Sequence, residues 1–276
     1  QCDVVGITNA TSIDLNDSAL ASACASLATG QVKCWGSNAE AALGTSAIPV
    51  QGDRDESFTA VPVPVDGITN AKAVSAGYSS VCAVLTNGRV KCWGRNGGGQ
   101  LGDPTLPTGD KAYIAKPALV VGLNGATTVS VGSGVACSMA AGTAMCWGHG
   151  SATPVAVDNG LGFTNVVATY AGCGVAKGIE YCWGPNDMHE VGNADIPTGS
   201  QMSAYRAEKP VPVSGLPARV VGMGASYYDS CAVLANASIY CWGYALWGAL
   251  GTGTNTQGDG TGRTNPGRLP QKVLGL

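Results

Sequence analysis

The sequence predicts an all-β protein: a β-propeller of five repeats, about four strands per blade, with one disulfide inside a hairpin of each blade. Three observations carry that reading. A unit of cysteine, apolar run, turn, second run and Cys-Trp-Gly recurs at Cys24 to Gly36, Cys82 to Gly94, Cys137 to Gly148, Cys173 to Gly184 and Cys231 to Gly243. Further strand-like runs flank each copy, and no amphipathic helix of useful length interrupts them. With 45% hydrophobic residues recurring periodically, the chain does not have the composition of a disordered one.

Each unit reads as a tight hairpin. In the second copy the midpoint between the cysteines is Asn87, and Thr86-Asn87-Gly88 suits a three-residue loop with Gly88 left-handed. Ala28-Thr29-Gly30 takes that place in the first. The third and fourth copies are one residue shorter and turn on Ala141-Gly142 and Lys177-Gly178. The fifth centres on Asn236 without a glycine, so Asn236 is expected to supply the positive φ.

Both loop lengths leave the two cysteines opposed, with Cβ atoms about 4.5–5.5 Å apart, close to the roughly 3.5–4.5 Å a disulfide needs. The expected bridges are Cys24–Cys34, Cys82–Cys92, Cys137–Cys146, Cys173–Cys182 and Cys231–Cys241. The alternative is five pairs of buried free thiols. Zinc fits the set poorly, because paired ligands usually lie about two to four residues apart and the chain has 2 histidines for five sites.

Upstream of each hairpin lies another strand: Ala10 to Leu15, Ala71 to Gly77, Thr127 to Gly132, Asn165 to Tyr170 and Arg219 to Gly224. A Val-x-Gly-Leu/Ile signal precedes most of them, as in Val65-Asp-Gly-Ile68 and Val120-Val-Gly-Leu123. Downstream of Trp-Gly, a turn closes in Leu-Gly or Val-Gly at Gly44, Gly102, Gly192 and Gly251. A polar loop then ends in a Pro-Val-Pro-Val-like run, whose prolines suit an edge strand. The third copy lacks the Leu-Gly turn and the loop. The repeats cover about 4–64, 65–119, 120–156, 157–212 and 213–272 of one propeller domain spanning 1–276, with 273–276 a closing strand or the start of a further repeat.

In the Cys-Trp-Gly tag, cysteine and tryptophan alternate in facing. Trp35, Trp93, Trp147, Trp183 and Trp242 are therefore expected as packing between blades. Trp247, outside the tag, is the better candidate for an exposed aromatic.

Eleven cysteines imply an oxidising compartment, secreted, extracellular or at the cell surface. The Asn-x-Ser/Thr sequons at Asn9, Asn16 and Asn236 agree as possible glycosylation sites. Cys2 is left over, either for an intermolecular bridge, for a bond to a segment beyond this sequence, or as a free thiol. A net charge of −3 without a basic cluster argues against nucleic acid. No apolar run reaches the ~18 residues of a membrane span. Opening on Gln1, the chain reads as a processed product without a signal peptide.

At these residues the chain resembles the regulator-of-chromosome-condensation repeat family. Gly77-Tyr-Ser-Ser-Val-Cys-Ala-Val-Leu85, Val90-Lys-Cys-Trp-Gly94, Asn96 and Gly99-Gln-Leu-Gly102 follow its motif. The cysteine pairs are similar to those of secreted rather than nuclear members. The family's usual propeller has seven blades, and five repeats are visible here. The resemblance is specific for fold and weak for function, since the fold hosts exchange factors, enzyme inhibitors and adhesive modules.

Three functions follow as expectations. The first is a non-enzymatic binding or structural module, contacting protein or glycan through the variable loops 45–60, 103–117, 193–209 and 252–270, with self-assembly through Cys2 or those loops. The second is a secreted glycan-active enzyme, with carboxylates from separate blades. The third is a nuclear exchange factor or chromatin binder. No cofactor is expected. Asp53, Asp55 and Glu56 are a weak calcium candidate, lacking the glycine and spacing of a dedicated loop.

Overall fold

The structure, a computed structural model, describes residues 4–16, 21–50, 57–149, 151–197, 206–226, 228–244, 248–253 and 269–275. Among them are five four-stranded sheets, each antiparallel and each in chain order. The chain divides into two compact units, residues 1–156 and 157–276.

Unit 1 holds three sheets. The first is β1 (Ala10–Leu15), β2 (Ser22–Leu27), β3 (Val32–Ser37) and β4 (Phe58–Pro64). The second is β5 (Ala71–Gly77), β6 (Ser80–Leu85), β7 (Val90–Arg95) and β8 (Tyr113–Leu119). The third is β9 (Ser130–Val131), β10 (Val135–Ala140), β11 (Thr143–Gly148) and β12 (Ser151–Ala156). Unit 2 holds β13 (Asn165–Ala168), β14 (Gly172–Ala176), β15 (Ile179–Pro185) and β16 (Arg206–Pro212), then β17 (Val220–Ala225), β18 (Asp229–Leu234), β19 (Ile239–Gly243) and β20 (Gln271–Lys272).

All five cysteine pairs stand directly opposite in the middle hairpin and are bonded: Cys24–Cys34, Cys82–Cys92, Cys137–Cys146, Cys173–Cys182 and Cys231–Cys241. Each pair sits at a Cα separation of 4.1 Å, on one face of the sheet. In the first, second and fourth sheets that face is buried against the next sheet of the same unit. Cys24 and Cys34 share a core with Trp93, and Cys82 and Cys92 share one with Trp147. In unit 2, Cys173 and Cys182 share a core with Trp242. The Val-x-Gly-Ile/Leu turns feed the same cores, with Val65, Ile68, Val120 and Leu123 buried.

The proline-bearing strands β4, β8, β12 and β16 are outermost, where a missing N–H breaks no ladder. On the opposite edge within unit 1, side chains occupy part of the exposed backbone. Ser12 Oγ accepts from Val74 N–H, Asp14 Oδ2 from Ala76 N–H, and Ser75 Oγ from Val131 N–H. These bonds tie β1 to β5 and β5 to β9 without continuing the sheet, which restrains edge-to-edge growth.

Two local expectations need correction. The third repeat's first strand shrinks from Thr127–Gly132 to Ser130–Val131, because Thr128 Oγ1 accepts from Met139 N–H and Ser138 Oγ donates to Thr128 O. Side chains there take the place of ladder bonds. In the fifth hairpin, Ala237 (φ 63°) holds the left-handed position, as Gly30 (φ 83°) and Gly88 (φ 73°) do in theirs. Asn236 instead accepts from Ser238 N–H at 3.2 Å, matching Asn87 and Arg89 N–H at 3.1 Å. Left-handed backbone costs an L-residue roughly 1–2 kcal/mol, and glycine returns about 0.4–1 kcal/mol through the unfolded chain. Ala237→Gly is therefore expected to stabilise unit 2 by up to about 1 kcal/mol, read as a raised urea midpoint. A lowered midpoint would contradict the turn assignment.

Candidate functional site

The hairpin tips lie at one end of each sheet. At the other end, in the first, second and fourth sheets, the Cys-Trp-Gly strand runs out into a turn opened by an asparagine, and this end carries most of the chemistry. Asn38, Asn96 and Asn186 are all buried. Each side-chain oxygen accepts the N–H five residues on, of Leu43 at 3.1 Å, Leu101 at 3.0 Å and Val191 at 3.0 Å. Each side-chain nitrogen donates to the loop beyond, at Ile48 O, Pro107 O, and both Ile196 O and Pro197 O. One amide thus holds turn and loop together.

The next sheet's tryptophan locks that turn. Trp93 Nε1 donates to Ala42 O at 3.0 Å, Trp147 Nε1 to Gln100 O at 2.8 Å and Trp242 Nε1 to Glu190 O at 3.0 Å. The Leu-Gly glycine must be glycine here. Gly102 has φ +74°, and a Cβ on it would lie 2.9 Å from Trp147 Nε1. Gly44 and Gly192 meet Trp93 and Trp242 in the same way. Trp183 differs, packing on Phe163 of its own repeat with ring centroids 5.5 Å apart. Trp35 is half-buried.

Above this frame the surface varies. In unit 1, Arg95 at the end of β7 pairs with Glu40 and stands 5.8 Å over the Tyr78 ring. Asp66 accepts from the Ser46 hydroxyl and backbone N–H, both at 2.8 Å, and these bonds hold its carboxyl below the ordinary value. That anchors the loop entering at Thr45. In unit 2, Tyr170, Tyr228 and Tyr244 form an edge-to-face chain with centroids 5.5 and 5.8 Å apart.

Unit 2 also buries acids. Glu190 takes the place of Gln100 in the turn. Its Oε2 accepts Met188 N–H at 2.9 Å, as Gln100 Oε1 accepts Gly98 N–H at 2.8 Å. Its Oε1 is buried without a partner among the described residues. Burial, with Asp187 and Asp229 adding repulsion, pushes Glu190 up to about 8. Burial likewise raises Asp229 to about 6 and Asp187 upward. Glu180 on β15 is 1% exposed, with neither oxygen partnered among the described residues, and burial raises it to about 8. The repeat alignment held a signal for Glu180, since Val32, Val90, Ala144 and Ile239 stand at the same offset from the second cysteine.

Of the other predicted residues, Asn9 and Asn236 are exposed. Asn16 is buried and its amide nitrogen donates to Ser22 Oγ at 2.8 Å, so the atom a glycan would use is engaged. Cys2, Trp247 and the calcium candidate Asp53, Asp55 and Glu56 lie outside the described residues. The strands β4, β8 and β16 begin at Phe58, Tyr113 and Arg206, so the first three variable loops end sooner than expected. Among the described residues no helix is long and apolar enough to cross a membrane.

The family model for the regulator of chromosome condensation (RCC1) repeat matches residues 71–100 and again 87–141. Protein pim1 of Schizosaccharomyces pombe is 30% identical over 115 residues, covering 38% of this chain and 21% of pim1. The RCC1 domain-containing protein RUG3, mitochondrial, of Arabidopsis thaliana is 30% identical over 111 residues, covering 38% and 23%. The matched stretch thus spans under a quarter of either curated relative. The crystal structure of human WBSCR16 superposes with a TM-score of 0.75 at 16% identity, covering 98% of this chain and 68% of that one. Yeast RCC1 (Prp20), solved bound to Kap60, superposes with a TM-score of 0.71 at 18% identity, covering 92% and 59%. These likenesses establish the propeller fold.

Proposed function

We propose that this propeller, whose residues 71–141 match the RCC1 repeat model, is a non-enzymatic protein-binding module. It engages its partner through the connections that leave the Cys-Trp-Gly ends of its sheets. The observation that carries this reading is a constant frame beneath a variable surface. Asparagine, tryptophan and glycine repeat the same bonds in successive turns, while the segments that follow, 45–57, 103–112 and 193–205, differ in sequence outside a common Ile/Leu-Pro pair and the Thr-Gly after it in two of them. Recognition on repeat scaffolds resides in such loops. Tyr78 and Arg95 on this end are residue types that dominate interface energetics. Protein binding also fits the Prp20p structure from Saccharomyces cerevisiae, reported with its binding to Gsp1p and histones. The five disulfides support a secretory or extracellular setting, where they persist.

A glycan-active enzyme is the second reading, because raised carboxyls such as Asp229 suit a general acid. Glu190, 1% exposed beneath Trp242, is placed to hold a turn rather than to meet a substrate.

The test is site-specific photocrosslinking from Tyr78, with Thr29 at the hairpin end as control. A defined protein should be captured from Tyr78 and not from Thr29, with capture reduced at least about tenfold by Arg95→Glu. Equal capture from both ends, hydrolysis of glycans abolished by Asp229→Asn, or salt-sensitive DNA binding would each overturn the reading. Intact mass before and after reduction checks the compartment argument, since five bridges add ten hydrogens.

A further inference from the structure

We propose that Cys173, Cys182 and Glu180 form a zinc site when the Cys173–Cys182 disulfide is reduced, two thiolates and one carboxylate oxygen supplying three ligands and solvent the fourth. Glu180 lies two residues before Cys182 on β15, on the same face of the strand, and Cys173 stands opposite on β14. The two sulfurs and a Glu180 oxygen all lie within 4.8 Å of one another, buried. Ser230 Oγ is 3.8 Å from Cys173 Sγ.

Zinc bonds of about 2.3 Å to sulfur and about 2.0–2.2 Å to oxygen place tetrahedral ligands roughly 3.4–3.8 Å apart. In the oxidised state the three ligand atoms already lie within 4.8 Å of one another.

The argument rests on what is otherwise unexplained. A buried carboxyl with neither oxygen partnered among the described residues is costly, and native proteins rarely keep one without a reason. The other four hairpins carry Val32, Val90, Ala144 and Ile239 at this place, so packing alone does not call for an acid. A cation bound by all three groups gives Glu180 a partner. The assembled site carries a net charge of −1 (three anionic ligands and one dication), no more than ionised Glu180 would carry by itself.

The chemistry balances with a dithiol reductant. It gives two electrons and two protons to the disulfide, the Cys173–Cys182 bond breaks to two thiols, and the reductant closes to its own disulfide. Zinc then displaces three protons, two from the thiols and one from the Glu180 carboxyl.

The full chain is reduced with a phosphine, which offers zinc no sulfur, and zinc chloride is added. Alkylation of each cysteine is then mapped by peptide mass spectrometry. Zinc should slow alkylation of Cys173 and Cys182 selectively, at least about tenfold, with one zinc per chain by native mass spectrometry. Glu180→Gln should lower zinc affinity by at least about tenfold. Protection spread equally over all five pairs, no protection, or unchanged affinity in Glu180→Gln overturns the proposal. The wild-type protection pattern decides the matter even if the variant folds poorly.

Discussion

Trp147→Ala is expected to destabilise unit 1 by about 3–5 kcal/mol, the range for emptying a buried aromatic site. The indole is 1% exposed and packs in one core with the Cys82–Cys92 bridge, Leu101 and Val120. Its Nε1 is also the donor to Gln100 O, within the turn that Asn96 organises. Removing it opens a cavity and leaves that carbonyl buried without its donor. Trp147→Phe separates the two effects, keeping most of the apolar area while losing the bond, at about 1–3 kcal/mol. Trp35→Ala provides the contrast, since a half-buried indole should cost less. Denaturant midpoints read all three. A Trp147→Ala loss under about 1 kcal/mol, the scale of surface changes, would refute the locking role of the tag.

The second large effect is a pH dependence centred on Glu190. Its folded-state value is about 8 against an ordinary 4.5, so the folded protein holds a proton that the unfolded chain releases. The stabilisation is complete below about pH 4.5, declines as pH rises toward 8, and is absent above. At 1.36 kcal/mol per unit, the difference of 3.5 units (8 − 4.5) sets an upper figure of about 5 kcal/mol. Asp187 and Asp229 face the same carboxyl and add their repulsion as they ionise. Glu190→Gln should remove this share of the decline, leaving the share of Glu180, which burial also raises to about 8, and should stabilise the protein most at alkaline pH. The reason is written in unit 1, where Gln100 fills the equivalent place, is equally buried and makes the same backbone bond. Denaturation near pH 5 and near pH 8.5 distinguishes the outcomes. A variant that keeps the wild-type slope, or loses stability at alkaline pH, would place the titration elsewhere.

Much of the fold could be read from residue spacing. Opposed cysteines depend only on the hairpin's own loop, so Cys137–Cys146 was as legible as Cys82–Cys92 despite its shorter turn. Prolines marked β4 and β16 as edges because a missing donor is a local fact. The fifth hairpin was misread by one residue, since composition pointed to Asn236 while the register of its strands put Ala237 in the left-handed place.

The repeated hairpins, their five bridges, the outermost proline strands and the all-β class were determined by the sequence itself, because each depends on contacts between residues close along the chain. Only the tertiary structure decided what those hairpins bury. Neighbouring sheets set Trp147 on the turn after Asn96, left Glu180 without a partner among the described residues beside the Cys173–Cys182 bridge, and enclosed Glu190 beneath Trp242 with Asp229 close by. A carboxyl's surroundings are set by the sheet packed over it, and that sheet lies some fifty residues away in the chain, as Glu190 and Trp242 do at a separation of 52.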